Sequence, residues 1–168
     1  LWLLTRRGVL RSPLTLYTAL GGMTALLSMW MSNVASRAVM IPIALGVLTT
    51  TPQLAARPRA KSDLILLIAF SASVGGLGTP VGTPPNIIAM GFLRQLAGES
   101  ITFVDWMKLG VPLVLVLMVF LLWLLRPRGV VFEDRATMES SLQTQRKALG
   151  PLRTGERNTG ILFAVAIT

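Results

Sequence analysis

Three polar residues that can bind ions, Ser28, Ser32 and Asn33, interrupt a long apolar stretch. Residues four apart lie on the same face of a helix, so the hydroxyl groups of Ser28 and Ser32 are expected close together. Asn33 adds a carbonyl acceptor and an amide donor. At the tip of a helical hairpin, the last carbonyls of the first helix suit a cation, and the first N–H groups of the second helix suit an anion. The alternative interpretation is that Ser32 and Asn33 only cap the second helix.

A second polar segment, residues 75–86, contains four glycines and three prolines within twelve residues and cannot form a regular helix. Apolar helical patterns flank it on both sides. Unwound backbone at membrane depth is stable only where it is buried in protein or faces a water-filled cavity. Its threonine hydroxyls and carbonyls can coordinate Na⁺. Neither segment contains a carboxylate, which favours Na⁺ over H⁺ and an anionic substrate. The alternative is a proline-kinked helix end in a loop outside the membrane.

The composition places both segments in a membrane protein. Hydrophobic residues make up 52% of the 168 residues, charged residues make up 14%, and the mean hydropathy is +0.65, whereas soluble domains average about 25% charged residues. The chain has no Cys and no His, which excludes disulfides, thiolate metal sites and His acid–base chemistry. We therefore expect neither an enzyme nor an organic cofactor. The net charge of +9 fits basic cytoplasmic loops, so we expect no nucleic-acid partner.

The basic loops predict how the chain crosses the lipid bilayer. Lysine and arginine are concentrated at residues 6–11, 57–61 and 126–128, which places these loops in the cytoplasm. The apolar stretch between the first two loops contains 36 residues. Two full spans would need roughly 40 residues, so a re-entrant helical hairpin fits better.

The predicted fold class is an all-α polytopic membrane protein. Its predicted elements are the end of a scaffold helix with a cytoplasmic loop at 1–12, a re-entrant hairpin at 13–48, a broken transmembrane helix at 62–98, a transmembrane helix at 106–125, a cytoplasmic loop at 126–157 and the start of a further helix at 158–168. Both ends lie inside apolar runs, so we expect a fragment of a longer protein.

Two stretches together resemble a known family. The sequence SMWMSNVASRAVMIPIALGVL at 28–48, followed by GGLGTPVGTPPNIIAMGF at 75–92, is similar to the first half of the divalent anion:sodium symporters, which transport dicarboxylates, citrate and sulfate. The resemblance extends from residue 1 to about residue 125. It implies one inverted repeat of an elevator-type transporter, with a discontinuous transmembrane helix. It also implies Na⁺ as the coupling ion, a small anionic substrate, a homodimer when full length, and a multi-pass position in the plasma (bacterial inner) membrane.

The resemblance also implies which residues bind the ion and the substrate. The expected Na⁺ ligands are Ser28, Ser32, Asn33 and Gly82, and the expected substrate-side residues are Asn33, Val34, Thr83 and Pro84. The family has threonine where this chain has Val34, so a hydrogen bond of about 1 kcal/mol to the anion is lost. Arg37, one helical turn beyond the tip, either contacts the anion or pairs with a backbone carbonyl.

Two other functions fit parts of the sequence. A related transporter, such as a Na⁺/H⁺ antiporter or an arsenite or silicate permease, also uses hairpins and broken helices. An intramembrane pair of aspartates in the rest of the protein would indicate that class, whereas a second Ser-Asn-Thr tip would indicate the symporter. A membrane enzyme or receptor subunit would need His, Asp or Glu at membrane depth, and this sequence has none there.

Overall fold

The computed structural model describes residues 12–98 and 100–127, which form helices and no strands. The helices are α1 (Pro13–Ser28), α2 (Asn33–Thr50), α3 (Pro52–Ala55), α4 (Pro58–Gly75), α5 (Pro84–Ala97) and α6 (Phe103–Leu124). The all-α prediction is confirmed for this part of the chain. Nearly all of the elements predicted at 1–12 and 126–157, and the whole of 158–168, lie outside the described residues.

Helices α1 and α2 form a helical hairpin, and capping residues define the start of each. The Ser12 hydroxyl accepts a hydrogen bond from the Thr15 N–H at 3.2 Å, while the Thr15 hydroxyl accepts one from the Ser12 N–H at 3.0 Å. This reciprocal pair, with Pro13 at the first helical position, starts α1. The Ser32 hydroxyl accepts from the Ala35 N–H at 3.2 Å and starts α2. The capping role considered for Ser32 is therefore present.

Helix α4 packs against both legs of the hairpin and against α6. The buried core between these helices includes Leu16, Leu20, Met40, Leu64, Leu67 and Ile68. Tyr17 is also fully buried, and its hydroxyl donates a hydrogen bond to the Ala60 carbonyl oxygen at 2.6 Å. Where α1 crosses α4, a Cβ at Gly75 would collide with the Ala25 backbone, so glycine is required for this close approach. The hairpin and α4 are thus one packed unit.

Helices α4 and α5 are the two halves of the predicted broken helix, separated by the unwound segment 76–83. Helix α4 begins at Pro58, before the expected start at 62, because proline is favoured at the first helical position. Arg59 and Lys61 therefore lie in its first turn. The prediction that 75–86 is not helical is wrong at both ends, because Gly75 is the last residue of α4 and Pro84–Asn86 form the first turn of α5. Prolines are tolerated there because first-turn N–H groups have no partner within the helix.

Helix α6 contains 22 residues, and an 18-residue window within it has a mean hydropathy of 2.4. At 1.5 Å per residue it is about 33 Å long, enough to cross a hydrocarbon core of about 30 Å. It begins at Phe103, before the expected start at 106, because Thr102 and Asp105 form a capping box. Among the described helices, α6 alone is long and apolar enough to span a membrane. Within α2, residues Asn33–Thr49 form a shorter apolar helix.

Candidate functional site

Two of the predicted Na⁺ ligands, Ser28 and Asn33, lie side by side at the hairpin tip, against α4. The Ser28 Oγ is 2.6 Å from Asn33 Oδ1 and 2.6 Å from the carbonyl oxygen of Ala72. The hydroxyl has one hydrogen, so it donates to only one of these two oxygens at a time. Three oxygens therefore meet around a single hydrogen. This excess of acceptors suits a cation.

The beginning of the unwound segment faces this oxygen cluster. A Cβ at Gly76 would be 2.5 Å from Asn33 Oδ1, and a Cβ at Gly82 would be 2.5 Å from the Gly76 carbonyl oxygen. A Cβ at Gly76 would displace the Asn33 carboxamide, and a Cβ at Gly82 would collide with the Gly76 backbone inside the unwound segment, so glycine at both positions permits the close approach. Gly82, an expected Na⁺ ligand, is buried against Gly76. Gly76, which was not among the expected ligands, is the glycine that faces Asn33.

Two further residues hold the unwound segment in place, and neither was among the expected site residues. Thr79 is fully buried; its hydroxyl donates to the Met29 carbonyl oxygen at 2.5 Å and accepts from the Gly82 N–H at 3.1 Å. The Asn86 side chain is buried, and its amide nitrogen donates to the carbonyl oxygens of Gly76 and Thr79, both at 2.8 Å. The sequence feature that could have indicated their role is the Gly-Thr-Pro tripeptide, which occurs near the start of the segment and again before α5.

The N-terminus of α2 presents backbone donors at the hairpin tip. Ser32 is exposed there, and its hydroxyl oxygen serves as the cap. Within the described residues, the N–H groups of Asn33 and Val34 have no hydrogen-bond acceptor, as expected for the first two positions of a helix. The Val34 side chain is 72% exposed. These donors and the positive end of the α2 dipole suit an anion.

The start of α5 offers different chemistry, because Pro84 and Pro85 have no N–H groups. Thr83 precedes them at the N-cap position, and its hydroxyl makes no capping hydrogen bond. Thr83 is half-buried and Pro84 is exposed. In the described part of the chain, neither of these expected substrate-side residues forms a hydrogen bond to the hairpin tip. Helix α5 therefore contributes one hydroxyl and an apolar ring, and α2 contributes the N–H groups.

Arg37 connects α2 to α4. Its Nε donates to the Ala69 carbonyl oxygen at 3.2 Å, and its Nη2 donates to the Ser73 hydroxyl at 2.5 Å. Pairing with a backbone carbonyl, one of the two roles considered for Arg37, is thus present. These bonds place a guanidinium charge one turn beyond the tip. Within the described residues, no group of three or more His, Cys, Asp or Glu side chains could hold a metal ion.

A polar hairpin tip that faces the unwound middle of a discontinuous helix is the arrangement by which membrane secondary transporters bind ions and solutes. The chain matches the family CitMHS, described as citrate transporter, over residues 2–168, and it belongs to this family. The resemblance to the divalent anion:sodium symporters is thereby confirmed at the level of the family. The chain is a member of a transporter family and not of an enzyme family.

Curated relatives agree with this assignment. A protein of Staphylococcus saprophyticus named sodium-dependent dicarboxylate transporter SdcS is 36% identical over an alignment of 183 positions. The alignment covers 98% of this chain and 35% of the relative. An uncharacterized transporter of Haemophilus influenzae is 35% identical, over 77% of this chain and 26% of its own length. SdcS of Staphylococcus aureus is 41% identical over 56% of this chain and 20% of its own length. The chain therefore spans about a third or less of the length of these relatives.

Proposed function

We propose that this chain belongs to a secondary active transporter that couples Na⁺ entry to the symport of a di- or tricarboxylate across the plasma membrane. The observation that supports this proposal best is that a cluster of oxygens suited to a cation lies next to backbone N–H groups suited to an anion. The oxygens of Ser28, Asn33 and Ala72 cluster at the tip. The N–H groups of Asn33 and Val34, which have no acceptor among the described residues, belong to the same turn. The names of the two SdcS relatives favour carboxylates over sulfate and Na⁺ over other coupling ions.

The cation half of the proposed site is formed by neutral oxygens. Na⁺ between Ser28 Oγ, Asn33 Oδ1 and the unwound segment would replace the shared hydroxyl hydrogen as the positive centre of the cluster. The hydroxyl then turns its hydrogen toward Ala72, whose carbonyl oxygen is already 2.6 Å away. Backbone oxygen near Gly82 and the Ser32 hydroxyl complete the proposed coordination. Bound Na⁺ would thereby join the hairpin to the unwound segment.

The anion half is formed by the start of α2. A carboxylate at this position accepts from the N–H groups of Asn33 and Val34, and Thr83 and Pro84 line the opposite side. Two of the Arg37 donors are used on α4, which leaves its Nη1 for the anion. A Na⁺ ion a few ångströms away stabilises the carboxylate by direct attraction, since charges 4 Å apart interact by several kcal/mol where water is partly excluded. This attraction explains why transport of the anion would require Na⁺.

The rest of the full transporter would supply the second half of the site. By the family pattern, a second inverted repeat adds another hairpin tip and broken helix, and two copies form a homodimer. The unit of hairpin and α4 would move as one body against the scaffold, because α4 packs on both hairpin legs and Arg37 bonds α2 to α4. This rigid unit is what an elevator motion requires.

The test of the proposed function is uptake by the full transporter in proteoliposomes. Radiolabelled succinate, citrate and sulfate are each offered with an inward gradient of Na⁺ or of choline. We expect uptake of at least one carboxylate that is Na⁺-dependent and saturable. Equal uptake with choline would show that Na⁺ is not the coupling ion, and Na⁺-dependent uptake of sulfate without either carboxylate would show that the substrate class is wrong.

Substitution of Val34 by threonine tests the anion side of the site. Because the side chain is exposed at the tip, a hydroxyl at this position can reach an anion bound to the Asn33 and Val34 N–H groups. We expect tighter binding of the carboxylate, by up to about tenfold for about 1.4 kcal/mol, with little change in Na⁺ affinity. Val39→Thr on the exposed side of α2 is the matched control. Unchanged affinity for every transported anion would remove Val34 from the substrate side.

A further inference from the structure

A cavity of about 640 Å³ lies where the start of α4 meets the end of α6, far along α4 from the hairpin tip. Three arginines and one aspartate line it, together with two leucines at the end of α6: Arg57, Arg59, Arg126, Asp63, Leu124 and Leu125. Basic residues at the cytoplasmic ends of membrane helices usually point into water separately. In this chain, arginines from the start of α4 and from the end of α6, far apart in the sequence, line one cavity.

The three guanidinium groups are not neutralised within the part of the chain that the structure describes. There, the single ion pair joins Lys108 to Asp105 at 2.8 Å. The side chains of Arg57, Arg59 and Arg126 donate no hydrogen bond to a described residue. With Asp63 also in the wall, the lining has an excess of two positive charges. Such a cavity attracts an anion.

The position of the cavity indicates where the anion comes from. Helix α6 is the apolar helix long enough to cross the hydrocarbon core, and Leu124 and Leu125 are at its end. The cavity is therefore at the depth where hydrocarbon gives way to the phosphates of lipid headgroups. Arginine binds phosphate oxygens with two parallel hydrogen bonds, which makes it well suited to this ligand. The volume is in the range of about 300–1,000 Å³ typical of small-ligand sites.

We propose that this cavity binds the phosphodiester of an anionic membrane lipid, with the three arginines around the phosphate and the leucines against the start of an acyl chain. The same arginines could attract a soluble phosphate, but the apolar wall at the end of α6 suits only a lipid. Asp63 repels a phosphate placed next to it and instead accepts a hydrogen bond from a hydroxyl on the headgroup. The cavity therefore selects a headgroup that has both a phosphodiester and free hydroxyls, such as glycerol.

Native mass spectrometry of the full transporter tests the proposal with phosphatidylglycerol, phosphatidylcholine and phosphatidylmethanol as probes. The transporter is expected to bind phosphatidylglycerol in preference to phosphatidylcholine. Changing any one of the cavity arginines to glutamine is expected to weaken phosphatidylglycerol binding about fivefold. The triple variant Arg57→Gln, Arg59→Gln, Arg126→Gln should lose the preference. Asp63→Asn should reduce the preference for phosphatidylglycerol over phosphatidylmethanol, which has the same phosphodiester charge and no hydroxyl.

The matched control is Arg94→Gln, which removes an exposed arginine in the last turn of α5, outside the cavity. It should leave lipid preference unchanged. A second triple variant with lysine at the three positions keeps the charges and should keep most of the preference, which separates loss of charge from misfolding. Equal binding of phosphatidylglycerol and phosphatidylcholine, or equal losses in the Arg94 and cavity variants, would overturn the proposal. Displacement of the lipid by millimolar inorganic phosphate would overturn the lipid as the occupant.

Discussion

Replacing Asn33 by alanine in the full transporter is expected to abolish the stimulation of carboxylate uptake by Na⁺ at ordinary Na⁺ concentrations. The substitution removes the oxygen that lies 2.6 Å from Ser28 Oγ and faces Gly76. Loss of one polar contact to a charged partner costs about 2 kcal/mol, which is about thirtyfold in affinity. The measurement is the Na⁺ concentration that gives half-maximal uptake in proteoliposomes, normalised to the amount of transporter.

The control for this change is Gln95→Ala, which removes the same carboxamide chemistry from an exposed position on α5. It should leave Na⁺ stimulation unaltered. Asn33→Asp adds a sharper test, since a carboxylate next to the proposed ion strengthens attraction for Na⁺ and repels the anion at the α2 N-terminus. We expect Asn33→Asp to bind Na⁺ at least as tightly as the unaltered protein and the substrate more weakly. Normal Na⁺ dependence in Asn33→Ala would remove the cation site from the hairpin tip.

Replacing Thr79 by valine is expected to weaken Na⁺ binding although Thr79 is not proposed as a ligand. Valine has nearly the same shape but cannot donate to the Met29 carbonyl oxygen or accept from the Gly82 N–H. The Met29 carbonyl oxygen then stays unpaired in a buried environment, at a cost of about 1–3 kcal/mol. The Gly82 N–H keeps only its longer bond, 3.3 Å, to the backbone carbonyl oxygen of residue 79. The unwound segment is held less firmly against the tip. The Na⁺ concentration for half-maximal uptake should rise about tenfold or more, and the thermal midpoint should fall.

A positioning role for Thr79 is distinguished from general instability by rescue at high Na⁺. Because Na⁺ would bind only the arrangement in which the tip and the segment are together, saturating Na⁺ should restore most of the uptake rate and part of the thermal stability. Thr18→Val removes a threonine hydroxyl that bonds only within α1 on an exposed face, and it should leave both measurements unchanged. A lower thermal midpoint with unaltered Na⁺ dependence would mean that Thr79 supports the fold alone.

Local sequence signals account for the starts of both hairpin legs and for the break between α4 and α5. Ser12 and Ser32 cap the two hairpin legs, as their types predict, and the glycines and prolines after Gly75 end α4. These effects are local, because a capping hydrogen bond or a missing N–H acts within one turn. The pairing of Ser28 with Asn33 was also within reach, since the two residues lie on either side of one tight connection. Helix α4 starts at Pro58, earlier than predicted, because basic residues are common both in loops and in the exposed first turn of a helix.

The contacts between residues far apart in the sequence depend on how the helices pack. Thr79 bonds to Met29 across fifty residues of sequence, and Arg37 bonds to α4 across more than thirty. Thr79 and Thr83 each occupy the middle of a Gly-Thr-Pro tripeptide, so the tripeptide does not distinguish them. Thr79 is buried and hydrogen-bonded, whereas Thr83 is half-buried and makes no capping hydrogen bond. Helical periodicity defines which face of a helix is apolar but not which helix covers that face. That choice depends on close packing between helices. The close approach at Gly75 and the arginine-lined cavity between α4 and α6 therefore exist only in the assembled fold.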